Sequence, residues 1–327
     1  MSLFYNVWDV VNASPNLFLY IFIGGRGIGK TYSALKGALD SNKKFMYLRR
    51  TDTEVKNCCN EVNNPFLTLN VDLERDVEIS KLENLFVIHE GTVQHGIGAS
   101  LSTFGKFRGS DFSDISYIIF DEFINTSGRN TLKNEEDLFF NLIETVQRNR
   151  EITGGDSIKI ILLSNSNTLD NGIIRSLNLG EIVRVLKNSD VDTYTDEERG
   201  ILLTLPKDVG ITAEKKKTRL YKLTQGTNFY NMAIQNDFVG DDFASVKRIP
   251  NNKIIPLCQF DKACFYTVKN EDYLYVSYRK NDSPYFDDKT IKNFKRQFGL
   301  LLEYYIENKK VFYSDYDLSL YVKNIFS

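Results

Sequence analysis

The run Gly24-Gly25-Arg26-Gly27-Ile28-Gly29-Lys30-Thr31 fits the spacing G-x-x-x-x-G-K-[S/T] without a gap. It follows an apolar stretch, Leu17-Phe18-Leu19-Tyr20-Ile21-Phe22-Ile23, that reads as a buried strand. It precedes Tyr32-Ser33-Ala34-Leu35-Lys36-Gly37-Ala38-Leu39, which can be helical. Strand, glycine-rich turn and helix is the context in which this spacing cradles phosphate. The glycines let the backbone curl so that its N–H groups face phosphate oxygens, and the helix N-terminus adds a favourable dipole. Residues Gly24, Gly25, Arg26, Gly27, Ile28 and Gly29 are the expected cradle. Lys30 is expected to reach the β- and γ-phosphates of ATP, and the Thr31 hydroxyl to ligate Mg²⁺.

Working outward, a phosphate loop needs an acidic residue at the end of a neighbouring apolar strand. Tyr117-Ile118-Ile119-Phe120-Asp121-Glu122 supplies it. Asp121 is expected to hold Mg²⁺ with Thr31, and Glu122 to polarise an attacking water. A third apolar strand, Ile160-Ile161-Leu162-Leu163, ends in Ser164-Asn165. Asn165 is the expected γ-phosphate sensor, with Ser164 second. Gln147-Arg148-Asn149-Arg150 closes the helical stretch Leu138 to Val146. Its arginines either complement the helix C-terminus or reach a neighbouring subunit's γ-phosphate as an arginine finger, with Arg148 ahead of Arg150. Lys56, Lys106, Arg108 and the run Lys215-Lys216-Lys217 are candidates for contact with DNA phosphate or a neighbouring subunit, against the plainer reading of solvated loops and faces.

Composition sets the frame. At 327 residues, 42% hydrophobic and 26% charged, the chain has enough apolar content for a sizeable core and enough length for two domains. A net charge of −2 excludes a global basic field, so any nucleic-acid contact must be local. Two histidines make a His-based metal site a poor reading, and the four cysteines (Cys58, Cys59, Cys258, Cys264) form no C-x-x-C pair and are expected as free thiols. No signal peptide or membrane span is expected.

Phe45 to Leu48 reads as a strand, Val77 to Ile79 with Leu85 to Ile88 as a hairpin, and Ser100 to Phe104 as a short strand. Strands alternating with helices predict an α/β fold with a mostly parallel sheet over residues 1–189. The acidic, turn-rich segment 190–227 reads as a linker or small subdomain. Residues 228–327 read as a second, small α+β domain, with strands at Phe265 to Val268 and Tyr273 to Tyr278 and helices at Lys289 to Ile306 and Asp315 to Ile325.

The form Gly-Gly-Arg-Gly-x-Gly-Lys-Thr with Arg26 inside the loop, and Arg108-Gly109 shortly before the Asp121-Glu122 strand, resembles the large-terminase branch of P-loop ATPases. The short chain and Ile118-Ile119-Phe120-Asp121-Glu122-Phe123 are similar to the phi-29-type phage genome-packaging ATPases, the encapsidation proteins. The likeness is specific over residues 17–168. It implies a homo-oligomeric ring, by resemblance a pentamer, docked on the portal of an empty capsid in the host cytoplasm, driving double-stranded DNA inward by ATP hydrolysis. A structural packaging RNA is a further partner in that family. The family's C-terminal domain is similar to a ribonuclease-H-like nuclease. Here Asp261, Glu271-Asp272 and Asp287-Asp288 read more easily as turn acids than as a two-metal cluster, so a vestigial nuclease domain that binds DNA or portal is expected. Two alternatives stand beside this reading: a terminase with an active metal-dependent nuclease, and a non-hydrolysing nucleotide-binding assembly scaffold.

Overall fold

The structure is a computed structural model that describes residues 3–82, 85–107, 111–124, 132–165, 168–207, 209–235, 237–238, 241 and 243–326. In chain order it begins with α1 (Val7–Ala13), β1 (Leu19–Gly24), α2 (Lys30–Asp40), β2 (Lys44–Arg49), α3 (Asp52–Asn57) and α4 (Leu67–Leu73). Next come β3 (Val77–Leu82), β4 (Leu85–Glu90), β5 (Val93–Ser100), β6 (Ile115–Asp121), α5 (Glu135–Gln147) and β7 (Lys159–Asn165). Then follow α6 (Gly172–Ser176), α7 (Gly180–Lys187), β8 (Thr193–Asp196), β9 (Ile201–Thr204), α8 (Gly210–Lys217), α9 (Arg219–Leu223) and α10 (Asn228–Gln235). The chain closes with β10 (Ile254–Phe260), β11 (Ala263–Val268), β12 (Leu274–Ser277), β13 (Tyr285–Phe286), α11 (Ile291–Phe294), α12 (Leu300–Glu307), β14 (Val311–Tyr313) and α13 (Tyr316–Phe326). Among the described residues no helix is long and apolar enough to cross a membrane.

Two compact units result: residues 1–173 with 189–240, and residues 174–188 with 241–327. The first is built on a nine-stranded sheet in the order β3-β4-β5-β2-β6-β7-β1-β9-β8. The six strands from β5 to β9 in that order are mutually parallel, and antiparallel hairpins β3–β4 and β8–β9 close the two edges. Every residue of β1 is buried, as expected for a central parallel strand covered on both faces. Helix α2 buries Ala34, Leu35, Ala38 and Leu39. Its Gly37 is required by contact, because a Cβ there would sit 2.0 Å from the Trp8 ring of α1. The same indole donates to the Ala34 carbonyl at 2.9 Å, and the Val7 N–H donates to Ser33 Oγ at 3.1 Å. The first turn of α2, which carries the phosphate loop, is thus pinned by the N-terminal helix.

The second unit holds a separate five-stranded sheet, β13-β10-β11-β12-β14. Strands β10, β11 and β12 form an antiparallel meander flanked by parallel β13 and β14. Phe260, Phe265, Phe294, Leu302, Leu318 and Val322 fill its core. The helix expected from Lys289 to Ile306 runs as α11 and α12 joined by a π-helical stretch, Lys295–Gly299.

Three expectations need correction. The segment 190–227 is not a linker: β8 and β9 extend the main sheet, because Ile201 to Thr204 is fully buried and β9 pairs in parallel with β1. The boundary at residue 189 also differs, since α7 belongs to the second unit. Asp317 of α13 accepts the Gly180 N–H at 2.7 Å and the Glu181 N–H at 3.0 Å, capping the α7 N-terminus. Finally, Ser100 is the end of β5 rather than the start of a strand, and Leu101 to Phe107 turns through a short 3₁₀ segment.

Candidate nucleotide site

Register decides what meets at the sheet's C-terminal edge. Gly24 lies opposite Asn165, Asp121 opposite Leu163, and Leu48 opposite Phe120. The loop after β1, the tip of β7, Asp121 on β6 and Arg49 on β2 therefore converge where ligands bind in open α/β sheets. A cleft of about 270 Å³ lies there, lined by Arg26, Gly27, Gly29, Lys30, Thr31, Tyr32, Asp121, Glu122, Ser164 and Asn165.

Gly29 caps α2 with φ +103°, a backbone state that L side chains rarely adopt. Lys30 follows and is buried. Its ammonium donates to the Gly24 and Gly25 carbonyls at 3.1 and 2.8 Å and lies 3.4 Å from Asn165 Oδ1. Burial pulls its pKa down to about 8 against the opposing pull of Asp121. The Thr31 hydroxyl donates to both Asp121 oxygens at 3.1 and 3.2 Å. Asp121 is buried and its pKa is raised by desolvation, an effect that the Arg49 charge opposes.

Glu122 has φ +55°. This left-handed turn reverses the chain directly after the strand, so two consecutive carboxylates enter different environments. Asp121 stays buried next to Thr31, while the Glu122 side chain is 55% exposed. Asn165 sits at the tip of β7, and Ser164 Oγ donates to the Asn165 carbonyl at 3.2 Å. The loop residues, Lys30, Thr31, Asp121, Glu122 and Asn165 thus meet in one place.

Four side chains at this edge carry no prior expectation from the sequence. Arg49 Nη2 donates to Glu122 Oε2 at 2.6 Å, with Nη1 3.4 Å from Asp121 Oδ2. The Tyr47 hydroxyl donates to Asp121 Oδ2 at 3.1 Å. Arg50, also buried, pairs with Glu135 at 2.8 Å and donates to the Phe123 carbonyl at 2.5 Å, fixing the chain after Glu122. The legible signal is two arginines closing an apolar strand, followed by the capping box Thr51-x-x-Glu54.

Other candidates lie elsewhere or in other roles. Arg150 donates to the Ile115 and Phe112 carbonyls at 2.7 and 2.6 Å, which ties down the turn entering β6 and commits its guanidinium within the subunit. The Arg148 side chain is 48% exposed, 3.9 Å from Asp111. Lys56 pairs with Asp52 one helical turn away, and Lys106 is exposed. Arg108 falls outside the described residues. Lys215 turns inward to the Arg26 carbonyl, whereas Lys217 pairs with Glu214 at 2.7 Å and Lys216 is exposed. In the second unit the acids serve local structure. Asp261 accepts from Tyr321, Asp272 pairs with Lys310 and Tyr305, and Asp287 caps the turn at Thr290.

A phosphate loop after a central parallel strand, a buried aspartate two strands away and a polar tip between them define the P-loop NTPase class. The chain belongs to the podovirus DNA encapsidation protein (Gp16) family, whose sequence pattern matches residues 1–297. Its relatives include the DNA packaging proteins of Bacillus phages PZA and phi29. Each is 30% identical over 263 residues, spanning 78% of this chain and 72% of the relative. Among solved structures, a chain of the bacteriophage Phi-29 viral genome packaging motor assembly superposes with a TM-score of 0.67 at 22% identity, covering 99% of both chains. That likeness establishes the fold over both units.

Proposed function

We propose that this chain is an ATP-driven double-stranded DNA translocase that packages a viral genome into a preformed capsid. The carrying observation is the unlike placement of two consecutive carboxylates, Asp121 buried against Thr31 and Glu122 half exposed beyond it. Neighbouring carboxylates in unlike environments are a pattern of acid–base assignment. Thr31 and Asp121 present a hydroxyl and a carboxylate, an oxygen donor set that suits Mg²⁺. These two residues would hold the ion, which supplies positive charge to the β- and γ-phosphates. Lys30 neutralises the triphosphate, the loop N–H groups orient it, Glu122 takes the proton of the attacking water, and Asn165 positions that water.

Membership of the encapsidation family supports the cargo and the setting: a homo-oligomeric ring, by resemblance a pentamer, docked on the capsid portal in the host cytoplasm, with a structural RNA as a further partner. Arg148, exposed at the end of α5, is the residue we assign to act on a neighbour's γ-phosphate. Arg26, exposed at the loop, acts within the cleft. Lys56, Lys106 and Lys216 remain accessible for DNA. The local roles of Asp261, Asp272 and Asp287 favour a second unit that binds DNA or portal without cutting.

The test is ATP turnover by the full chain with and without duplex DNA. DNA is expected to stimulate turnover, and Glu122→Gln to lower kcat by about 10²–10⁴-fold while retaining nucleotide. Absence of DNA stimulation together with an unchanged basal rate in Glu122→Gln would overturn the reading.

A further inference from the structure

We propose that Lys215, on α8, is a second phosphate-binding cation of the nucleotide site, contributed by the segment that follows the sheet. The inference rests on the reading of the cleft as an ATP site. Its geometric basis is the placement of one ammonium in a row of three lysines. Lys217 is engaged with Glu214 and Lys216 faces solvent, but Lys215 reaches back over the loop and donates to the Arg26 carbonyl. It also covers Gly27: a Cβ on that residue would lie 3.1 Å from the Lys215 ammonium. Gly27 has φ +65°, and it lines the nucleotide cleft together with Arg26, Lys30 and Thr31.

The charges explain why the placement calls for an anion. The charged groups that act on Lys215 and on Lys30 include each other's side of the loop: Arg26 works against the Lys215 charge, and Lys215 works against the Lys30 charge. Three cations, two of them partly or fully withdrawn from water, surround one glycine-rich turn. Like charges gathered in a low-dielectric pocket are unfavourable until a polyanion offsets them. A bound triphosphate does this at once, and lysine serves phosphate well as a mobile point charge on a flexible stem. The Tyr221 ring of α9, 5.8 Å from the ammonium, adds a cation–π contact that keeps it over the loop. Exchange of the Arg26 carbonyl for a phosphate oxygen then makes α8 responsive to nucleotide, because the helix is held to the loop through this side chain. The Ile211 N–H of α8 also donates to the Leu3 carbonyl at 2.8 Å.

The experiment compares parent, Lys215→Met and Lys215→Arg as full chains, titrated with a fluorescent ATP analogue, the matching ADP analogue and, separately, a short DNA duplex. Lys215→Met keeps the aliphatic stem over the loop and removes the charge. The expected result is a loss of about tenfold or more in ATP-analogue affinity, recovered to within threefold by Lys215→Arg. The melting temperature of the nucleotide-free protein should be unchanged within 2 °C. ATP-analogue affinity in Lys215→Met within twofold of the parent overturns the inference, as does a selective loss of duplex affinity, which assigns the residue to DNA instead. A lowered melting temperature with no recovery by Lys215→Arg likewise overturns it in favour of a packing role. If the parent itself binds no ATP analogue, it is the ATP-site reading that fails.

Discussion

Arg49 Nη2 donates to Glu122 Oε2 at 2.6 Å, which joins the end of β2 to the residue proposed to activate water. The same guanidinium lies 3.4 Å from Asp121, so one cation serves both carboxylates of the cleft. Without it, Glu122 loses the partner that fixes its carboxylate. Arg49→Ala is expected to lower kcat for ATP turnover about tenfold, the equivalent of one charge-assisted hydrogen bond. Steady-state turnover at saturating ATP and Mg²⁺ checks this, and an unchanged rate counts against the assignment.

Gly29 cannot accept a side chain. At φ +103° a Cβ would lie 3.1 Å from Phe4 Cβ and 3.2 Å from the Tyr5 carbonyl oxygen. Gly29→Ala is expected to cost about 1–3 kcal/mol of stability in urea unfolding and to lower ATP-analogue affinity at least tenfold. Gly105→Ala, where a Cβ meets nothing within 4 Å, serves as the neutral control. Equal behaviour of the two variants would remove the argument from backbone strain.

The Arg50–Glu135 pair is buried on both sides and positions the chain after Glu122. Breaking one partner leaves the other charge uncompensated. Glu135→Ala is therefore expected to destabilise the protein by about 3–5 kcal/mol, and the double replacement Arg50→Met with Glu135→Met by much less. Urea denaturation of both variants measures the difference. A double variant as unstable as the single one would show that the pair's geometry, rather than its charge balance, matters.

What is legible in the sequence is local. β1, β6 and β7 are short apolar runs, so the residues that meet in the cleft, Lys30, Thr31, Asp121, Glu122 and Asn165, stand at or just beyond strand tips in the sequence itself. The role of Arg49 is not legible there, because it depends on the β2–β6 register, which no local pattern encodes. β5 went unseen since Gly96 and Gly98 interrupt its apolar pattern; a Cβ on Gly96 would lie 2.0 Å from the Phe45 carbonyl oxygen, so a neighbouring strand dictates that residue. The edge hairpin β8–β9 is hidden because acidic residues (Asp190, Asp192, Glu197, Glu198) flank its four-residue first strand. The allegiance of α7 was hidden because its cap, Asp317, is 137 residues from Gly180.

Acid stability offers a test at the other edge of the sheet. Glu90 accepts from Arg75 and from the Asp76 N–H, which lowers its pKa from 4.5 to about 2. A carboxylate with a depressed folded-state pKa contributes stability above its unfolded value, and that contribution is lost as pH falls through the folded value. With the side chain 29% exposed, the contribution at pH 7 is about 1–2 kcal/mol after allowance for solvent. Glu90→Gln should therefore be less stable than the parent at pH 7, with the gap closing between pH 4.5 and pH 2. Chemical denaturation across that range follows it, and a gap constant with pH would rule out the ion pair as its source.

The allegiance of α7 bears on how such a chain can change by recombination. Because residues 174–188 lie with residues 241–327, the polypeptide passes from one unit to the other at three points. A single genetic crossover near residue 240 delivers a second unit stripped of the helix that Asp317 caps, and leaves that helix behind on a foreign partner. Whole exchange needs three coordinated breakpoints, so the two units are expected to be inherited as a pair between related genomes more faithfully than their separate cores would require.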